Sequence, residues 1–175
     1  MASASASSLL LTGATSDIGR SVAHRFAQQG WTIGLLGGDR AALEGLAGRL
    51  SGASSTIVRG LDLTDDAEVE AAVTEVGEQM GGRLDVLVNA AGVLRPGRFE
   101  QLDLFAHRAL IDGNLWAMLA VTHAAFPFLR DADGARVVSV ASASSMYGRP
   151  DLASYSAAKA GVRSLTQALN LEWAH

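Results

Sequence analysis

The chain has 175 residues, 49% of them apolar and 18% charged, and a formal net charge of −4. That length supports one domain with a sizeable core, and the composition suits a well-buried α/β protein. The acidic balance leaves no basic footprint for nucleic acid, and the lack of cysteine excludes disulfides, thiolate catalysis and thiolate metal sites.

Residues 1–8 read as a flexible polar tail without the positive n-region of a signal peptide. No apolar run approaches the roughly 18 residues that span a bilayer, so a soluble cytoplasmic protein with no membrane partner is expected. Residues 9–175 read as the domain. Ser8 to Thr12 predicts a short buried strand that enters a Gly-rich turn. A helix from about Asp17 to Gln29 follows, with Ile18, Val22 and Phe26 as its apolar stripe and Gly30 as its stop. Trp31 to Leu36 predicts a second strand. Arg40 to Leu50 predicts a second helix, with Leu43, Leu46, Ala47 and Leu50 on one side. Ser55 to Gly60 is the third strand. Asp65 caps the next helix with Glu68 as its partner, and Val69, Ala72, Val73 and Val76 are its buried stripe. Leu84 to Val88 and Arg136 to Ala141 are strands four and five, with a long helical stretch between them from about Phe105 to Leu129. A last helix starts near Ser154 and carries Val162, Leu165 and Leu169. Alternating strands and helices argue for a parallel sheet covered on both faces, with right-handed crossovers.

Tyr155 and Lys159 stand four apart at the start of that last helix, a spacing that shares a helix face. An ammonium beside a phenol favours the phenolate, and a hydroxyl such as that of Ser142 both donates and accepts, so it can hold a substrate oxygen. At the other end of the chain, Thr12-Gly13-Ala14-Thr15-Ser16-Asp17-Ile18-Gly19 joins the first strand to the first helix. Glycines there allow a tight turn and close approach, and the helix N-terminus suits a pyrophosphate. The histidines His24, His107, His123 and His175 form no close pair at ligand spacing, so they read as helix-surface or structural residues and no metal site is expected.

With these motifs in this order, the chain resembles the short-chain dehydrogenase/reductase family, of the type with T-G-x-x-x-G-x-G and Y-x-x-x-K. The resemblance covers residues 9 to 173. It implies a Rossmann-like three-layer αβα sandwich with a parallel sheet, and a bound NAD or NADP. It departs at Asp17, which stands where the family's middle glycine usually does and puts a carboxylate near the expected diphosphate, weakening binding there. Asp17 also reads as able to cap the helix. The cofactor residues implied are Gly13, Thr15, Ser16, Asp17, Ile18 and Gly19 at the turn, and Asp62 and Leu63 beside the adenine. Asn89, Ala91 and Gly92 follow near the nicotinamide, with Tyr155 and Lys159. Asn114, Ser142, Tyr155 and Lys159 correspond to the family's catalytic tetrad. By the resemblance, Tyr155 is the general acid or base, Ser142 orients the substrate oxygen, and Lys159 holds the nicotinamide ribose and favours the Tyr155 phenolate. Asn114 holds a helix irregularity and a water in a proton relay.

The sequence is compatible with either NAD or NADP. Gly37 and Gly38 occupy the deciding positions, Asp39 and Arg40 argue in opposite directions, and a helix start with solvated charges accounts for both. Val93 to Phe99 and Ser144 to Leu152 are expected to face a small-molecule alcohol or carbonyl substrate. Arg95 and Arg98 suit either an anionic substrate or solvent. Trp116 and Met118 suit either the subunit contacts of a homodimer or homotetramer, or core packing. Relatives continue past the catalytic helix into a C-terminal substrate lobe, so a fragment of a longer protein is expected. A fifth strand at a sheet edge and a last helix with one uncovered face are expected to go with it. A dinucleotide-binding or interaction module without turnover stays open as the alternative, and so, less favoured, does a non-redox relative such as an epimerase or dehydratase.

Overall fold

Five short runs rich in Leu, Val and Ile pair into one sheet in the order β3-β2-β1-β4-β5. The strands of this computed structural model are β1 (Ser8–Thr12), β2 (Thr32–Gly37), β3 (Ser55–Gly60), β4 (Val86–Asn89) and β5 (Arg136–Ser139). The structure describes residues 6–173. The pairings β1–β2, β1–β4 and β2–β3 are parallel, with Leu10 opposite Gly34 and Leu87. The helices are α1 (Asp17–Ala27), α2 (Arg40–Ala47), α3 (Asp66–Gln79), α4 (Leu104–Ile111), α5 (Ala117–Arg130) and α6 (Ala153–Glu172).

The chain divides into two compact units. The first runs to Ala90 and resumes over Ala120–Val138; the second comprises Ala91–Leu119 and the chain from Ser139 on. In the first unit, side chains alternate across the strands because successive Cβ atoms point to opposite faces. Leu9, Leu11, Ile33, Leu35 and Val88 pack with Ala23 and Ala27 of α1 and Leu43 and Leu46 of α2. Leu10, Leu36 and Leu87 pack with Val69, Val73 and Val76 of α3 and Val121, Ala125 and Leu129 of α5. The result is a sheet with helices on both faces. The second unit holds α4, the first residues of α5, the loops after β4 and β5, and α6.

Several expectations shift by a residue or a face. The buried face of α1 is Gly19, Ala23 and Ala27, not Ile18, Val22 and Phe26; Val22 and Phe26 are only partly buried, and Ile18 is 55% exposed. Gly19 is required because the helix starts against the Gly13–Ala14 turn, and Ala23 and Ala27 pack on Leu9 and Leu11. Ser16, rather than Asp17, is the α1 cap: its hydroxyl accepts from the Gly19 N–H at 3.1 Å. Asp65 caps α3 as expected, but Glu68 reaches the Asp62 N–H instead of closing a capping box. The fifth strand is shorter than expected and lies at the sheet edge, with Arg136 and Val138 exposed. The long stretch before it is interrupted by a π-helical turn at Asp112–Trp116. Taken whole, Leu104–Arg130 is long and apolar enough by length and composition to cross a membrane. No uninterrupted apolar run of that length occurs, and Val121, Ala125 and Leu129 use the apolarity in the core.

Candidate active site

The glycine-rich turn belongs to the first unit. Gly13 takes φ 66°, a left-handed conformation that favours glycine. The Ser16 N–H closes the turn on the Gly13 carbonyl at 3.1 Å, and the Ser16 hydroxyl donates to the same oxygen at 2.8 Å. A Cβ on Gly19 would lie 2.2 Å from the Gly13 carbonyl oxygen, so only glycine lets α1 start this close to the turn. Arg20 fixes the outer side by donating from Nε to the Thr15 carbonyl at 2.7 Å. Ser16, Asp17 and Ile18 are left exposed on the first turn of α1, where backbone N–H groups have no intrahelical acceptor. An apolar residue displayed there is unusual for a solvated helix start. Asp17, at the position of the family's middle glycine, takes no left-handed angle.

Elsewhere in the first unit, Asp62 accepts from both the N–H and the hydroxyl of Thr64, which holds its carboxyl below the usual range. Leu63 packs partly into the core. Asn89 is buried at the end of β4 and donates its amide to Thr122 at 3.0 Å, so its side chain is engaged in packing. Asp39 caps α2 through the Ala42 N–H, and Arg40 pairs with Glu44. That is the helix start with solvated charges.

The second unit gathers the other candidates. Tyr155 and Lys159 lie one turn apart on α6, with the Lys159 ammonium 5.9 Å from the centre of the tyrosine ring. Lys159 is buried, which pushes its pKa below the ordinary lysine value by desolvation. The ammonium donates to the Val140 carbonyl at 2.9 Å, a neutral acceptor rather than a carboxylate. Ser142 lies two residues beyond that carbonyl, at the start of a short 3-10 turn. Its carbonyl accepts from the Ser145 hydroxyl at 2.6 Å, and its hydroxyl accepts from the Ser144 N–H at 3.2 Å. Ser144 and Ser145 are therefore buried supports for Ser142.

Asn114 sits in the π turn and is buried. Its Nδ2 donates to the Val93 carbonyl at 2.7 Å and to the Leu110 carbonyl at 2.9 Å, and its Oδ1 accepts from the Val93 N–H at 3.3 Å. A single amide thus ties the irregular helix to the loop that begins with Ala91 and Gly92. A Cβ on Gly92 would lie 2.6 Å from Asn114 Oδ1 and 3.4 Å from Lys159 Nζ. The glycine is what lets the loop pass beside both. Met146 and Tyr147 are exposed beyond Ser142. Trp116 is partly exposed and Met118 is buried, so only the tryptophan suits a surface role.

The family model described as short chain dehydrogenase matches residues 7–175. The chain belongs to the short-chain dehydrogenase family. It is 36% identical over 166 residues to a sulfoacetaldehyde reductase of Chromohalobacter salexigens, covering 94% of this chain and 65% of that protein. It is 30% identical to 11-beta-hydroxysteroid dehydrogenase A of Sesamum indicum, of which it spans 48%. Among solved structures, a short-chain dehydrogenase of Streptomyces avermitilis superposes with a TM-score of 0.90 at 30% identity, covering 98% of this chain and 62% of that one. An actinorhodin polyketide ketoreductase variant with NADPH also gives 0.90, at 31% identity, covering 98% and 67%. The chain thus spans about two thirds of the length of the first of these relatives. The fold of a short-chain dehydrogenase is present here as the parallel sheet with helices on both faces.

Sequence reasoning missed three partners within this family frame. The Ser16 cap was legible, since a serine three residues before a glycine N–H is an ordinary N-cap arrangement. The Val140 carbonyl that receives Lys159 carries no side-chain signal. Leu110, whose carbonyl fixes Asn114, reads in sequence only as a core leucine.

Proposed function

We propose that this protein is an NAD(P)-dependent oxidoreductase that moves a hydride between a nicotinamide cofactor and a hydroxyl or carbonyl group of a small molecule. The observation that carries the reading is the buried Lys159 ammonium, one helical turn from Tyr155 and bonded to a carbonyl rather than a carboxylate. A buried cation with only a neutral partner is costly, and such groups cluster where chemistry needs them. The reductase and dehydrogenase names of the relatives favour turnover over a binding module.

The residues present fit a dinucleotide. Gly19 lets the first turn of α1 start against the Gly13 turn, and Ser16, Asp17 and Ile18 are exposed there, where backbone N–H groups have no intrahelical acceptor and suit a diphosphate. Gly13, Thr15, Ser16, Asp17, Ile18 and Gly19 would hold the diphosphate, with Asp62 and Leu63 beside the adenine. Asn89, Ala91 and Gly92 would contribute to holding the nicotinamide, Asn89 through its backbone because its side-chain amide is given to Thr122. When bound, the nicotinamide donates or accepts the hydride. Tyr155 gives its proton to the carbonyl oxygen in reduction and takes it from the hydroxyl in oxidation. Ser142 holds that oxygen against the phenol. Lys159 would keep positive charge beside Tyr155 and bond the cofactor ribose, and Asn114 would hold the π turn for the proton relay.

NAD and NADP both remain compatible, because Asp39 and Arg40 are engaged in capping and pairing at α2. The same reading carries residues 9–175 as a single dinucleotide-binding domain. It also carries a cytoplasmic homodimer or homotetramer without nucleic-acid or membrane partners. Leu104 and Phe105, 84% and 80% exposed on α4, support the oligomer.

The test is a titration with NADH and NADPH, followed by reduction assays on small aldehydes and ketones with wild type and Tyr155→Phe. The substitution is expected to leave cofactor affinity unchanged and to lower kcat by about 10²–10⁴-fold. More than a tenth of wild-type activity in Tyr155→Phe would overturn the assignment.

A further inference from the structure

The start of α6 is held in an unusual way. Its N-cap position is Leu152, and no side chain caps the helix. The residue before it, Asp151, has φ 61° and is the one non-glycine in the left-handed region among the described residues. Such a conformation is strained for a residue with a Cβ and persists where the surroundings over-determine it. Two contacts do so. The Gly97 N–H donates to the Asp151 carbonyl at 2.8 Å, and His107 meets the Ser154 hydroxyl at 2.7 Å through Nδ1.

The second contact has a defined polarity. His107 Nε2 lies 3.0 Å from the Phe99 carbonyl, which can only accept, so Nε2 carries the hydrogen. In the neutral ring Nδ1 is then the acceptor, and the Ser154 hydroxyl donates to it. The ring also packs against Phe99 at a tilt of 38°, with centroids 4.7 Å apart. The imidazole is therefore fixed on both edges and one face, and its free hydrogen-bonding capacity is spent on the residue next to Tyr155. Its placement on α4 ties the segment Phe99–Gln101 and the first turn of α6 to one side chain.

We propose that His107 is a positioning residue: through the Ser154 hydroxyl it sets the first turn of α6 and so the attitude of the Tyr155 phenol. The proposal rests on the reading of Tyr155 as the proton-transfer group. With no side-chain cap on the helix, this contact restrains the residue adjacent to Tyr155. A proton donor displaced by a fraction of an ångström loses rate without losing the ability to bind.

The test compares His107→Ala, His107→Asn, His107→Gln and Ser154→Ala with wild type and Tyr155→Phe. Asparagine reproduces the Nδ1 acceptor and keeps the Ser154 bond, whereas glutamine reproduces the Nε2 edge and keeps only the Phe99 bond. His107→Ala, His107→Gln and Ser154→Ala are expected to lower kcat about tenfold with KM and cofactor affinity unchanged. His107→Asn is expected to restore most of the rate, and the His107→Ala/Ser154→Ala double variant to be no worse than either single one. A readout that needs no turnover is the ring signal of Tyr155 in carbon-labelled tyrosine NMR, assigned with Tyr147→Phe. It should shift in His107→Ala and Ser154→Ala and return in His107→Asn. Additive losses, rescue by glutamine in place of asparagine, or an unmoved Tyr155 signal would overturn the proposal. An active Tyr155→Phe would instead overturn the underlying reading, so the two failures are separable.

Discussion

The glycine turn of the first unit and the Tyr155 group of the second are built by opposite means. The turn is local: Gly13, Ser16 and Gly19 make it within one short stretch of chain and with two hydroxyl contacts. Steric exclusion is its main device, since a single methyl at Gly19 would strike the Gly13 carbonyl. The Tyr155 group is assembled from distant stretches. Lys159 takes a carbonyl nineteen residues earlier, and Asn114 reaches twenty-one residues back to Val93. Hydrogen bonds to backbone carbonyls are its device. A local steric site tolerates polar changes but not bulk, whereas a network of buried bonds tolerates bulk at its margin but not the loss of a partner.

That contrast can be broken most strongly at Gly19. Gly19→Ala is expected to cost about 3 kcal/mol, because the clash is with backbone that cannot turn aside. Denaturant unfolding would read the cost and a titration the accompanying loss of NADH or NADPH binding. An unchanged midpoint would mean the turn yields more easily than its geometry states. Asn114→Ala attacks the other device and should cost about 2 kcal/mol by leaving Val93 and Leu110 groups unpaired. Hydrogen exchange should then show the 110–116 amides opening first, and protection equal to wild type would argue against the amide as the lock.

A gentler probe separates charge from shape at the turn. Asp17→Gly removes a carboxylate from the helix start and should tighten dinucleotide binding about threefold at low salt, less at high salt. A looser complex would assign Asp17 a favourable contact instead. Lys159→Met gives the smallest signal, a slope rather than a step. Burial lowers the folded-state pKa of Lys159 below its unfolded value, so in the window between them the unfolded chain binds more protons. Wild type therefore gains stability relative to Lys159→Met as pH rises through that alkaline window toward the ordinary lysine value. Thermal unfolding of both proteins across that range would show the gap closing from the acid side, and parallel curves would contradict the burial.

Much of this was readable in the residues. The five strands and the order of helices followed from apolar runs separated by Gly, Asp and Ser, and the stripe of α3 was read correctly at Val69, Ala72, Val73 and Val76. The face of α1 was misread because hydrophobicity pointed to Ile18, while proximity selected Gly19, Ala23 and Ala27. The run from Arg136 to Ala141 reads as a strand, but the strand stops at Ser139, and its place at the sheet edge, as expected, leaves Val138 half exposed. Periodicity reports which residues prefer burial. It does not report how near two elements come.

The sequence by itself determined the family, the alternating α/β order, and the residues Gly13, Gly19, Asn114, Ser142, Tyr155 and Lys159 as the ones to examine. These are signals of residue type and spacing, which are local and present in the chain before it folds. Tertiary structure decided what those residues are bonded to: Lys159 to the Val140 carbonyl, Asn114 to Val93 and Leu110, and Ser154 to His107. The reason is physical. A backbone carbonyl is the same in every residue, so its use as a partner leaves no trace in the sequence and is fixed only when the chain folds.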